Sequence, residues 1–108
     1  MRDVNKVTLI GRISTDISTA DLNEWKTKVV NFSVATNRSF KNSKWEKVDE
    51  AEFTRCVAFW KLAEIISTKL KKSSKVYVEG RLRTRSYEDK EGVKRYVTEV
   101  VVNDVTFC

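Results

Sequence analysis

Histidine and proline are both absent from the 108 residues, and the chain has only two cysteines and three glycines. Without histidine, zinc sites built on imidazole, Ser-His and Cys-His nucleophile pairs, and histidine general bases are excluded. Cys56 falls inside an alternating apolar stretch and Cys108 is the last residue. No disulfide framework is present, so a reducing compartment is the natural reading, with Cys56 as a small core residue. No apolar run approaches the length of a membrane span. The opening Met1-Arg2-Asp3-Val4-Asn5-Lys6 has neither the h-region of a secretory signal nor the long acid-free arm of a transit peptide. A cytoplasmic or nucleoid location follows, or an organellar matrix if a transit segment has been removed. The acidic pairs Asp49-Glu50 and Glu88-Asp89 are adjacent in turns rather than convergent, as surface turns routinely carry them. An enzyme is therefore the least favoured class, and no catalytic residue, cofactor or metal ligand is assigned.

What is present describes one folded, soluble domain. With 41% apolar and 33% charged residues, a chain of this size buries a core without disulfides or a structural metal. Twenty-one basic residues against 15 acidic ones give a net charge of +6, a modest bias toward polyanionic partners.

Val4 to Ile13 reads as a first strand, with Gly11 marking a bulge or a close backbone approach. Ser14 to Lys28 is polar and turn-rich, with Trp25 standing out. Val30, Phe32 and Val34 then alternate with Asn31, Ser33 and Ala35, giving a second strand with Phe32 in the core. A polar loop from Asn37 to Glu50 leads to a third strand, Phe53 to Trp60, so that strands two and three form a hairpin with a long basic, aromatic tip. Over Lys61 to Lys72 the period changes: Leu62, Ile65, Ile66 and Leu70 recur at helical spacing. Lys69, Lys71 and Lys72 in the last turn suit the negative end of the helix dipole, a structural reading that stands beside a DNA contact. Lys75 to Tyr87 and Lys94 to Phe107 form a second long hairpin around the charged turn Glu88 to Gly92. Five strands with one helix between the third and fourth is the order of an all-β OB-fold, a Greek-key barrel whose binding face is commonly built on strands two and three.

The functional signal lies on that face. Period-two alternation puts Phe53, Arg55, Val57 and Phe59 together, and two rings flanking a guanidinium suit the stacking of unpaired bases around a phosphate. Arg81, Arg83 and Arg85 share one side of strand four, about 7 Å apart by the strand rise, a spacing similar to phosphates on an extended strand. A solvated outer face also alternates charges, but like charges repel, and in this reading only Glu79 offsets the row. Phe40, Trp45, Phe53, Phe59, Trp60 and Tyr87 are the candidate stacking platforms. Trp60 has a second reading, packed under the helix. Trp45 and Phe40, in a polar tip, have no core to join.

Five segments, in order and in register, resemble the bacterial-type single-stranded DNA-binding proteins over nearly the whole chain. They are Val4 to Arg12, Val30 to Thr36, Phe59-Trp60-Lys61-Leu62-Ala63-Glu64, Val76 to Arg85 with its Glu79-Gly80-Arg81, and Tyr96 to Val101. The resemblance implies an OB-fold that assembles as a homotetramer and wraps single-stranded DNA without sequence preference. It also implies protection of that DNA in replication, recombination and repair. The family's stacking aromatics fall on Phe40, Phe53, Phe59 and Tyr87, three of which more usually hold tryptophan. Family DNA contacts match Lys6, Arg55, Lys61, Arg83 and Arg85. Arg38 and Arg81 complete the basic set.

Thr54 stands where histidine is frequent near a subunit contact, Trp60 stands where glycine is common, and Asp21 to Trp25 lacks the usual glycine turn. Many members continue to an acidic tip that recruits repair and replication enzymes, whereas this sequence stops at Cys108. It reads as a DNA-binding core or as a tail-less variant. Two alternatives share parts of the chemistry: a primosomal or RNA-binding OB protein, against which the strand-four and helix motifs speak, and a basic protein-interaction module.

Overall fold

Alternating apolar residues on four long strands close this chain on itself. The structure is a computed structural model, which describes residues 2–21 and 28–108. Its elements are β1 (Val7–Ile13), β2 (Ser18–Asp21), β3 (Lys28–Lys41), β4 (Lys47–Phe59), α1 (Trp60–Lys69), β5 (Lys75–Glu88) and β6 (Lys94–Phe107). Neighbours run β1-β5-β6-β4-β3, and β1 returns to β3 through Arg12↔Ala35 and Ile13↔Val34, closing a five-stranded barrel. β4 and β6 pair in parallel at Cys56↔Val100 and Val57↔Val101. The inward side chains Ile13, Val30, Phe32, Val34, Cys56, Ala58, Val76, Val78, Val100 and Val102 form the core, and α1 packs Ala63 and Ile66 against it. Fully burying a ring such as Phe32, 2% exposed, contributes roughly 1.5–3 kcal/mol. The expected OB-fold, with the helix between the third and fourth barrel strands, is the fold observed.

The glycines mark where backbones meet. A Cβ on Gly11 would collide with the carbonyl oxygen of Ala35, so of the two readings of Gly11 the close approach is the one realised. Gly80 lies at the register irregularity after Glu79, and a Cβ there would meet the Val101 carbonyl. β5 can leave the barrel against β6 at this point only because Gly80 has no side chain.

Several boundaries differ from expectation. β1 begins at Val7, not Val4. The segment ahead of it is held differently: the Asn5 side chain donates to the Leu82 carbonyl at 2.8 Å and accepts from the Leu82 N–H at 2.9 Å. A sixth described strand, β2, pairs along Lys28 to Asn31 at the barrel's edge. All four of its residues are exposed, so it has no apolar alternation to betray it. Trp25 and most of the Asp21 to Trp25 segment lie outside the described residues.

The stretch expected as a polar loop between Asn37 and Glu50 is instead mostly ladder, since β3 and β4 stay paired out to Lys41↔Lys47. The turn is confined to Asn42–Glu46, where the Asn42 side chain accepts from the N–H groups of Lys44 and Glu46. The ladder needs only backbone groups and cross-strand partners. Arg38 with Glu50 at 3.3 Å and Ser39 with Asp49 at 2.5 Å supply the partners where no core exists to do so. At the other hairpin, Asp89 accepts from the N–H groups of Glu91 and Val93, and Arg95 adds a third bond. The Val93 N–H first, then Arg95, hold its carboxyl below the usual range. Both ribbons project beyond the barrel. The radius of gyration is 16.2 Å, against about 13 Å for a compact chain of this length.

The helix ends earlier than its periodicity predicts. Lys69 is in its last turn, but Lys71 and Lys72 are not: Leu70, 8% exposed, turns inward in an extended conformation, and Ser73 takes a positive φ of 80°. The dipole argument therefore holds for Lys69 alone of the three lysines.

Candidate nucleic-acid interface

The outer face of β4 carries Phe53, Arg55, Val57 and Phe59, and the β3 ladder sets Ala35, Ser33, Asn31 and Val29 opposite them. Facing Phe53 with alanine leaves the ring 64% exposed. Further along, Val29, Val57 and Val101 form a second small apolar cluster outside the barrel, with Phe59 packed on it. Phe59 is thus a half-buried, fixed ring. The Arg83 guanidinium lies 5.6 Å from its centroid, within cation–π range.

Trp60 follows at 6.1 Å from Phe59. It is 71% exposed, so its packed-under-the-helix reading is excluded. Its φ is +55°, the left-handed region in which Cβ crowds the backbone. Glycine would take this backbone without that crowding. Lys61, in the first turn of α1, is exposed on the same end of the barrel.

Not all candidate platforms share this face. Phe40 pairs with Val48 and Phe53 with Ala35, so Phe40 and Arg38 point to the opposite side of the β3–β4 ribbon, continuous with the core side. Beyond the barrel that side has no core to cover it, and the Arg38 guanidinium lies 4.5 Å from the Phe40 ring. Trp45, at the tip, is 78% exposed with Lys41 at 5.7 Å from its ring. Tyr87 stands on the β5–β6 ribbon, half-exposed, on the side of Arg81, Arg83 and Arg85. Lys6 lies apart and binds Glu79 at 2.8 Å. Each partner's hydrogen bond stabilises the other's charge, raising the lysine pKa and lowering the glutamate's.

The arginine row differs from expectation in its counter-charge. Glu79 is engaged by Lys6, and the row is offset instead by Glu99, cross-strand from Arg83. Glu99 is 1% exposed. Its Oε2 accepts from Arg83 Nε at 3.2 Å, Arg83 Nη2 at 2.5 Å and Arg85 Nε at 3.0 Å. Burial pushes the Glu99 carboxyl up, but the bonds and charges of the two arginines outweigh it and leave the group below its usual range. The sequence carried this pairing in the turn: centring the hairpin on Glu88↔Lys94 brings Arg83 opposite Glu99.

Among the described residues, no group of three or more His, Cys, Asp or Glu side chains is placed to hold a metal. No described helix is long and apolar enough to cross a membrane. What the surface offers is rings, guanidiniums and two projecting ribbons around one closed barrel. The family model for the single-strand binding protein family matches residues 4–108.

The chain belongs to the single-strand binding protein family.

Within that family, the chain is 45% identical over 105 residues to single-stranded DNA-binding protein 1 of Chlorobaculum tepidum. It is 40% identical over 104 residues to the single-stranded DNA-binding protein of Clostridium perfringens. Each match covers 96% of this chain, which spans 64% and 65% of the two relatives. Among solved structures, a Plasmodium falciparum SSB in complex with ssDNA superposes with a TM-score of 0.88 at 28% identity, covering all of this chain and 97% of that one. This single-strand binding protein family member thus has the family's OB-fold, with a tryptophan in left-handed backbone and a buried glutamate beneath its arginine row.

Proposed function

We propose that this chain binds single-stranded DNA without sequence preference, as a non-catalytic protein that protects exposed strands in replication, recombination and repair. The observation that carries this reading is the outer face of β4, where exposed Phe53, exposed Arg55 and the Arg83-capped Phe59 follow one another. Rings there stack bases, each contributing roughly 1–3 kcal/mol, while guanidiniums hold phosphates. Arg81, Arg83, Arg85 and Tyr87 extend the track along one ribbon, and Arg38, Phe40 and Trp45 along the other. Trp60 and Lys61 follow Phe59 at the barrel end of the site, and Lys6, paired with Glu79 away from that face, belongs to the same proposed basic set. Assembly as a homotetramer in the cytoplasm or an organellar matrix belongs to the same reading, as does recruitment of other proteins through an acidic tail where one follows.

A fluorescence titration with labelled oligothymidine and its duplex counterpart, at low and high salt, tests it. Tight single-strand binding that survives high salt, with little for duplex, is the expected result. Equal, weak binding to both that vanishes with salt would overturn it and favour an acidic protein partner.

A further inference from the structure

We infer that Glu99 is a positioning residue and an internal counterion for the DNA-facing arginines. The inference rests on the proposed role of Arg83 and Arg85 as phosphate contacts. Like charges at alternate positions of a strand repel, and long side chains lose rotamer freedom when they are held for a ligand. Glu99 answers both problems from beneath the row. Its buried Oε2 takes Nε and Nη2 of Arg83 and Nε of Arg85, leaving Nη1 of Arg83 and both Nη groups of Arg85 unused by the carboxylate. The same bonds seat Arg83 over Phe59, coupling the phosphate-holding group to the stacking ring. Its other oxygen, Oε1, is buried and has no hydrogen-bond partner. That is an expensive placement for a charged group, and surface solubility does not account for it.

The charge count follows directly. Arg83, Arg85 and Glu99 together present one net positive charge instead of two. On binding DNA the pair therefore releases counterions as a single cation would. Each phosphate neutralised on a single strand contributes about 0.7 to the slope of log affinity against log salt, and the pair supplies about one such increment.

The test combines a variant with a measurement on the unaltered chain. Glu99→Gln keeps the size and an acceptor but removes the charge. With oligothymidine across a salt series, the slope is expected to steepen by about 0.7, and Arg85→Gln added to Glu99→Gln is expected to restore the original slope. An unchanged slope in a folded Glu99→Gln variant overturns the counterion role. Failure of the unaltered protein to bind oligothymidine would instead refute the proposed function, so the two failures are distinguishable. Independently of any variant, arginine Nε–H exchange by NMR in the free protein is expected to be slow for Arg83 and Arg85, whose Nε groups donate to Glu99, and fast for Arg81 and Arg55. Equally fast exchange at all four in the free protein would overturn the positioning role.

Discussion

Trp60 combines features that rarely persist together: a large ring 71% exposed, on a backbone with φ of +55°. A left-handed non-glycine residue costs about 1–2 kcal/mol, and this one buries little in return. Comparing Trp60→Ala with Trp60→Gly isolates that cost, because both lose the ring and its 6.1 Å contact with Phe59, whereas only glycine escapes the Cβ clash. Glycine's extra freedom in the unfolded chain returns roughly 0.5–1 kcal/mol of the gain. The glycine variant should therefore be the more stable of the two by roughly 0.7 kcal/mol. In urea this is a midpoint difference of about half a molar, at the slope of a domain this size. If Trp60 stacks a base as proposed, both variants should lose oligothymidine affinity equally, by a factor of about 5–150 for 1–3 kcal/mol. An alanine variant as stable as the glycine variant would refute the strain argument. Unchanged affinity in both would remove Trp60 from the interface.

Gly80→Ala should destabilise by roughly 1–3 kcal/mol, read as a lowered urea midpoint, because its Cβ meets the Val101 backbone, which cannot swing aside. Burial pushes the Cys56 thiol up to about 12, so a thiol reagent at neutral pH should label one cysteine per native chain, exposed Cys108, and both only after denaturation. Its two arginines hold the Glu99 carboxyl below the usual glutamate range, so these ion pairs stabilise fully above that range and lose their contribution as pH falls through the depressed value. Acid unfolding of Glu99→Gln should accordingly show a weaker pH dependence in that range than the unaltered chain. Phe53→Ala, removing an exposed ring over Ala35, should leave thermal stability nearly unchanged while weakening single-strand binding about tenfold.

The barrel was legible in the sequence because burial imposes a period. Val30, Phe32 and Val34 alternate as the inner face of β3, Val76 and Val78 as that of β5, and β6 runs from Lys94 to Phe107 as its pattern predicts. Where the chain leaves the core, that pressure ends. Asn37 to Lys41 and Lys47 to Glu50 read as loop because nothing apolar is buried there, yet the backbone ladder continues. β2 was hidden for the same reason. Parity along β4 placed Phe53, Arg55 and Phe59 together. Phe40 required the cross-strand register, which sets it on the other side of the ribbon. Glu99 was passed over because charge alternation on a strand ordinarily signals solvent, and only the hairpin register shows that this glutamate sits beneath arginines.

The two hydrogen bonds between the Asn5 side chain and the Leu82 backbone join residues 77 positions apart, two residues past the Gly80 irregularity where β5 departs the barrel. The ribbon carrying Arg83, Arg85 and Tyr87 is therefore a beam clamped at its root by the start of the chain. A load applied ahead of Asn5, by a fused domain or by a surface that tethers the protein, is passed to the base of that beam and not dissipated in a loose tail.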